Sequence, residues 1–284
     1  MKSPHQIRVG PAGWSYTDWE KVVYPPHGSR FDPLAYLASF FDTIEINSPF
    51  YRIPPPSHAK SWLRRVSENE RFKFTTKVFR GFTHDETTLI AEDVAAFRNY
   101  LDPLMDAGRL GAILLQFPWS FKNTPESQEK LLALFRAFDA YPKALEVRHA
   151  TFQSEEFSSF LQEHNVGWVN VDQPLFHDSV KPAATVTGPV AYARLHGRNY
   201  EKWFTHAESW ERYNYLYSEE ELQPWVDRIE AMAQQQDTYV VTNNHFRGQA
   251  IVNAGEIKEA LGQDATFPPQ LKEVYGARVT RPNP

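Results

Sequence analysis

Glu146 and Arg148 stand two residues apart in the stretch KALEVRH, residues 143–149. In a β-strand that spacing sends both charges to one face and Leu145 and Val147 to the other. An ordinary half-buried strand turns such a face to water. Here the neighbouring apolar runs read as wholly buried strands, so the two charges are expected to point into an interior. Buried charges are costly unless they are paired or used. The pattern recurs toward the ends of other expected strands: Glu45 and Asn47, Thr75 and Lys77, Gln116, Asn170 and Asp172, Arg194 and His196, and Asn244. Glu45, Glu146 and Asp172 are acidic; Lys77, Arg148 and Arg194 are basic. Such a near-balance is what a partly buried mouth requires, and it serves a ligand site or a set of structural ion pairs closing a barrel.

Glu146, Glu45, Lys77 and His196 are the candidates for proton transfer. A lysine buried near other cations can lose its proton and act as a base or Schiff-base nucleophile; a lysine paired with a carboxylate is structural. A histidine moves protons near neutrality, or sits hydrogen-bonded to backbone. Arg148 and Arg194 suit a carboxylate or phosphate, because a guanidinium binds either at two points. HGRN (196–199) and NNHFRGQ (243–249), which carries Asn243, Asn244 and Gly248, fall where barrels hold phosphate. Gly248 would let backbone N–H groups approach an anion, or would be a simple turn residue. Asn47, Tyr51, Gln116, Asp172 and Trp14 complete the expected binding set.

Glu45, Glu146, Asp172 and His196 could also ligate a divalent metal. No H-x-H or H-E-x-x-H spacing supports a metal, interleaved Arg and Lys repel one, and the sequence requires no cofactor. Aromatic residues crowd the same loops, among them Trp14, Tyr16, Phe50, Tyr51, Trp119, Trp203 and Phe204. Their flat faces suit a sugar ring or a nucleobase, or pack the loops against one another.

The elements that must position these groups alternate. Strands are predicted at Ile7–Gly10, Thr43–Asn47, Phe72–Lys77, Leu110–Phe117, 143–149, Val166–Asp172, Val190–His196 and Tyr239–Asn244. Helices are predicted between them: after the Asp32–Pro33 start, over Ser57–Val66, from Leu89 toward Ala107 with a break or kink near Pro103, and from Thr124–Pro125. Others open near Ser154, after an S-x-x-E box at Ser218 and Glu221, and near Arg247–Gly248, running to about Leu261. A Pro-rich loop follows Asp172, and 197–217 is an aromatic, charged insertion. Strand and helix repeated about eight times is the pattern of a parallel (β/α)₈ TIM barrel, a single domain with its core at about 7–261 and a tail at 262–284. An open doubly wound sheet is less well matched, since no G-x-G-x-x-G follows the first strand.

The chain has 284 residues, the size of one such barrel, and 42% hydrophobic residues, enough for a sizeable core. It has no cysteine, which excludes disulfides, zinc-thiolate sites and thiol nucleophiles. A net charge of −5 argues against broad binding to nucleic acid, although a local basic patch would permit it. The start has no signal-peptide core and no run reaches the roughly 18 apolar residues of a membrane span, so a cytoplasmic protein without a membrane partner is expected. The residues name no oligomeric state.

GPAGWSYTDW (10–19) with YPP, EINSPFYR (45–52), FKFTTKVFRGFTH (72–84), LLQFPWSF (114–121), LEVRH (145–149), ARLHGRN (193–199) and VTNNHFRGQA (241–250) together resemble the YecE-like family, the domain of unknown function 72. The resemblance runs from about residue 7 to 260. It implies a TIM barrel and attaches no reaction. The matching positions are Gly13, Trp14, Glu45, Asn47, Tyr51, Gln116, Glu146, Arg148, His149, Arg194, His196, Gly197, Asn243 and Asn244. Pro11–Ala12 stand where small or hydroxyl residues are expected, a change that would reshape the first loop. Three readings follow. The first is an enzyme that holds a small anionic, phosphorylated or sugar-like substrate at the barrel mouth. The second is a metal-dependent phosphoesterase or nuclease, and the third a non-catalytic nucleotide- or nucleic-acid-binding module.

Overall fold

A computed structural model describes residues 4–85 and 89–280; the last four residues of the expected tail, 281–284, lie outside them. Eight strands run parallel: β1 (Ile7–Pro11), β2 (Thr43–Ile46), β3 (Lys73–Lys77), β4 (Leu110–Gln116), β5 (Lys143–Glu146), β6 (Val166–Asp172), β7 (Ala191–Leu195) and β8 (Thr238–Thr242). Their order round the sheet is β1-β8-β7-β6-β5-β4-β3-β2. The ring is drawn together between β1 and β2 by a bridge from Ala12 to Glu45, with the Gly13 N–H donating to the Glu45 carbonyl at 2.8 Å. Gly10 permits that approach, since a Cβ there would stand 1.8 Å from the Thr43 carbonyl oxygen. The result is a (β/α)₈ TIM barrel.

The helices form where the sequence signals them. Asp32 caps α1 (Pro33–Ala38) by accepting from the N–H groups of Leu34 and Ala35. Thr124 caps α5 (Pro125–Ala137), which follows α2 (Pro56–Arg65), α3 (Arg80–Thr83) and α4 (Ala91–Asp106). Ser154 caps α6 (Glu155–Glu163), and the Ser218–Glu221 box opens α7 (Glu219–Ala233). Gly248, in the left-handed region at φ 81°, precedes α8 (Gln249–Ala260), and α9 (Leu271–Tyr275) lies in the tail.

One local expectation is corrected. α4 runs unbroken through Pro103, because that residue sits in the last turn and few helical bonds remain beyond it. The step from β6 to β7 is the loop expected after Asp172 and contains no helix. Its later part, around Thr185 and Thr187, returns along the outside of β6. The Thr185 N–H donates to Asn170 Oδ1 and the Asn170 amide donates to the Thr185 carbonyl, both at 2.9 Å. Thr187 Oγ1 likewise donates to the Val166 carbonyl at 2.6 Å and accepts from the Trp168 N–H at 2.9 Å. An extended segment therefore shares the cover of this strand with side chains of α6 and α7, and it gives Asn170 a polar partner outside the barrel.

The lower barrel is filled by aromatic bulk. Tyr239 reaches across to Gly111, where a Cβ would lie 2.5 Å from its ring. Above that layer the interior turns polar. No helix among the described residues is long and apolar enough to cross a membrane.

Candidate active site at the barrel mouth

Strand register fixes which side chains share the lumen. Glu45 is level with Thr75, Lys77 with Leu114, Gln116 with Glu146, and Val171 with Arg194. At the centre is a buried chain of ion pairs. Arg194 donates through Nε to Glu45 Oε2 at 2.9 Å, through Nη2 to Glu45 Oε1 at 2.6 Å, and through Nη1 to Glu146 Oε2 at 2.8 Å. Arg148 donates through Nε and Nη2 to Glu146 Oε1 at 3.1 and 2.9 Å. The Tyr192 hydroxyl adds a bond to Glu45 Oε2 at 2.9 Å and touches Thr75 Oγ1 at 2.8 Å. Burial alone would raise the Glu146 carboxyl. The guanidinium of Arg194 outweighs it, with His196 and Arg148 adding to the effect, and holds Glu146 well below the usual range. Glu146 is therefore an acceptor and a counter-charge.

His196 is wholly buried beside this chain. Its Nδ1 faces the Asn243 amide nitrogen at 2.9 Å, and its Nε2 lies 3.2 Å from Glu146 Oε1. The network assigns the neutral tautomer with Nε2–H donating to Glu146 and Nδ1 accepting from Asn243. Burial pushes the imidazole down to about 3, against the pull of Glu146, and the two guanidinium groups push the same way.

Lys77 differs from the other charged groups. Both lumen carboxylates are matched by guanidinium groups, and among the described residues Lys77 makes no ion pair. Its Nζ rests 3.8 Å from the centre of the Phe50 ring. Burial first, then the nearby Arg194, lower its pKa from 10.5 to about 7. His84, edge-on to Phe50, is pushed down to about 4 by burial and by Lys77.

The 197–217 insertion roofs the site. Trp203, 2% exposed, lies over Arg148 with the guanidinium carbon 5.5 Å from its ring, and stands 6.2 Å from the His196 ring. Arg212 backs Trp203 from outside at 5.9 Å. To one side Trp119 meets His149, Phe204 and Phe176 edge-on at 5.8–6.2 Å.

The lumen thus gathers Glu45, Lys77, Gln116, Glu146, Arg148, Arg194, His196 and Asn243. Other expected residues lie elsewhere. Asp172 and Asn170 alternate with Val171, which shares the Arg194 face, so both point outward. Asp172 accepts from Arg198, the Tyr217 hydroxyl and the Trp225 indole at 2.5–2.9 Å. It is an anchor for the insertion and is removed from the binding set. The alternative metal set of Glu45, Glu146, Asp172 and His196 accordingly does not converge, and the described residues contain no group of three His, Asp or Glu side chains arranged to hold an ion.

Asn244 also points outward, bonded to the Tyr215 carbonyl and to Asn253 at 2.8 Å; its neighbour Asn243 has the inward place. Gly248 offers no anion cradle. Its N–H is bonded to the His245 carbonyl at 3.1 Å, and its α-hydrogen faces Val23 and Leu271. Tyr51, 74% exposed, is on the outer rim, and Trp14 packs edge-on against Trp62 of α2. Asn47 stands at the rim with Oδ1 unpartnered. Arg194 is no open clamp, since every guanidinium nitrogen already meets a carboxylate. Arg148 keeps Nη1 unbonded to protein among the described residues.

The sequence names Phe50 and Trp203 only among loop aromatics suited to a flat ring, and leaves Tyr192 and Gln173 out of the site. Tyr192 and Gln173 were within reach of period-two counting, from Arg194 and from Val171. Phe50 and Trp203 lie in loops, where no periodicity places a side chain.

The sequence matches the family model described as "Protein of unknown function DUF72" over residues 8–274. The UPF0759 protein YunF of Bacillus subtilis (strain 168) is 28% identical over 273 residues, covering 90% of this chain and 94% of that protein. The UPF0759 protein YecE of Escherichia coli (strain K12) is 25% identical over 181 residues, 60% of this chain and 61% of that one. A crystal structure of a DUF72 family protein from Thermotoga maritima superposes with a TM-score of 0.82 at 36% identity, covering 91% of this chain and all (100%) of that one.

Proposed function

The chain belongs to the DUF72 family, described as of unknown function, and from its own residues we propose that the barrel mouth is an enzyme site for a small anionic substrate, phosphorylated or sugar-like. One observation carries the reading. Two carboxylates and two guanidinium groups cancel inside the lumen, and the half-buried amine of Lys77 is left over without an ion-pair partner among the described residues. An anion entering the mouth would supply that charge and favour the protonated amine. Arg148, through its unused Nη1, is the second contact.

The acid–base role then falls to Lys77. An amine poised at about 7 exchanges a proton with substrate near neutral pH, as general base or, once protonated, as general acid. Glu146 is held as an anion and His196 as a neutral imidazole, so both serve to orient. Glu45 fixes Arg194. The Phe50 ring covers the amine on one side, and Trp203 covers Arg148 and His196.

The test is pH-dependent amine labelling read by mass spectrometry. Lys77 should reach half-reactivity near pH 7, while surface lysines stay protonated. Sugar phosphates should protect it and move its midpoint upward, and a product-detecting screen of sugar phosphates should show turnover that Lys77→Met abolishes. A midpoint near the ordinary 10.5, or indifference to every phosphorylated probe, would refute the proposal. Protection without turnover would leave a binding module.

A further inference from the structure

Gln173 follows the last residue of β6. Val169 and Val171 share the faces of Tyr192 and Arg194, and the ladder continues beyond the strand, with the His196 N–H donating to the Asp172 carbonyl at 2.9 Å. Alternation therefore carries Gln173 to the lumen side, beside His196. It is 1% exposed, and neither Nε2 nor Oε1 has a hydrogen-bond partner. A buried primary amide without partners is destabilising, because both its donor and its acceptor have lost water and gained nothing. Its burial at the mouth is therefore a feature to be explained by what enters there.

The neighbours suggest what would satisfy it. The amide needs an acceptor for its N–H and a donor for its carbonyl, side by side. A hydroxyl pair on adjacent carbons provides both, since each hydroxyl donates and accepts. Three residues on in the same loop, Phe176 packs with Phe204 at 4.9 Å, and Trp119 meets Phe176 edge-on at 6.2 Å, an assembly of flat apolar faces. A sugar presents hydroxyls at its edge and C–H groups on its faces. Lys77 and Arg148 Nη1 stand ready for a phosphate on the same molecule.

We propose that Gln173 is the specificity-determining residue of the mouth, reading a vicinal hydroxyl pair of a sugar phosphate. This rests on the anionic-substrate reading above and adds to it the part of the ligand that Lys77 and Arg148 do not touch. The resting protein keeps an unsatisfied amide for the purpose, at some loss of stability.

The first arm of the test needs no ligand. Gln173→Met keeps the side chain's length and removes the orphaned polar atoms, so its Tm should rise by about 2–4 °C. Gln173→Leu should rise too. An unchanged or lowered Tm in both variants overturns the proposal, because the amide would then be held in the resting protein. The second arm uses inorganic phosphate, ribose 5-phosphate and 2-deoxyribose 5-phosphate as probes in calorimetry. Wild type should bind ribose 5-phosphate more tightly than the deoxy sugar by about tenfold or more, and Gln173→Met should abolish that preference. Equal binding of both sugars by wild type, or a preference kept by the variant, overturns the proposal and leaves the anionic site standing. No binding of any probe defeats both.

Discussion

Arg194 and Glu45 are 149 positions apart in the chain and meet at two points inside the barrel, Nε on Oε2 at 2.9 Å and Nη2 on Oε1 at 2.6 Å. They belong to β7 and β2, strands that are not neighbours in the sheet. The pair is a tie across the lumen, and Arg194 extends it to Glu146.

Removing the tie exposes its cost. Arg194→Met would leave two carboxylates buried without their principal cation, and a loss of about 3–5 kcal/mol is expected in urea unfolding. Adding Glu45→Gln should recover part of it, since one orphaned charge is then gone. Simple additivity of the two changes would mean that the pair contributes no coupling.

His196 sets an acid limit on stability. Its folded pKa of about 3 is below the 6.5 of the unfolded chain, so the unfolded state binds the extra proton first. Its contribution is fully present above pH 6.5 and is lost as pH falls toward 3. Glu146, also depressed, acts in the same direction at the lower end of that range. His196→Gln should flatten the fall in unfolding free energy between pH 6.5 and pH 5. A slope equal to wild type in that interval would place the titration elsewhere.

How far this site could be read without coordinates depends on the strand. Along β5 and the two residues after it, Leu145 and Val147 turn outward toward apolar cover, so Glu146 and Arg148 could only turn in, and alternation gives both. β7 behaves likewise for Arg194 and His196. In β6 the same rule gives the wrong face. Asn170 and Asp172 look like lumen residues, but a chain segment and the indole and phenol of Trp225 and Tyr217 wait outside for them. Polarity alone cannot choose a face when both faces are polar. At the end of β8 the two asparagines are adjacent, so one must point each way, and the phase comes from Tyr239 and Val241 rather than from the asparagines. The charges named for anion binding are mostly spent on one another, because pairing depends on distances across the ring that no local pattern encodes.

Asp172 carries a prediction about the roof. Its carboxylate holds Arg198 at the start of the insertion, Tyr217 at its end and Trp225 of α7. Asp172→Ala would free both ends of 197–217 and leave the buried indole and phenol donors unmatched. A loss of about 2–4 kcal/mol is expected, together with faster amide exchange confined to the insertion. Uniform exchange across the barrel would show that the anchor serves the core and not the roof.

The roof and the chemistry are linked through Trp203. It excludes water from Arg148 and His196, and the low pKa of Lys77 arises first from burial in the same lumen. Trp203→Ala removes a large buried side chain and should cost about 3–5 kcal/mol. The more telling consequence is electrostatic. Water admitted to the mouth would solvate the ammonium, and the labelling midpoint of Lys77 should climb from about 7 toward 10.5. Trp203→Phe, which keeps an apolar cover, should move it less. A midpoint unmoved in the alanine variant, in protein shown to be folded, would mean that the cations of the lumen and not the roof hold Lys77 near neutrality.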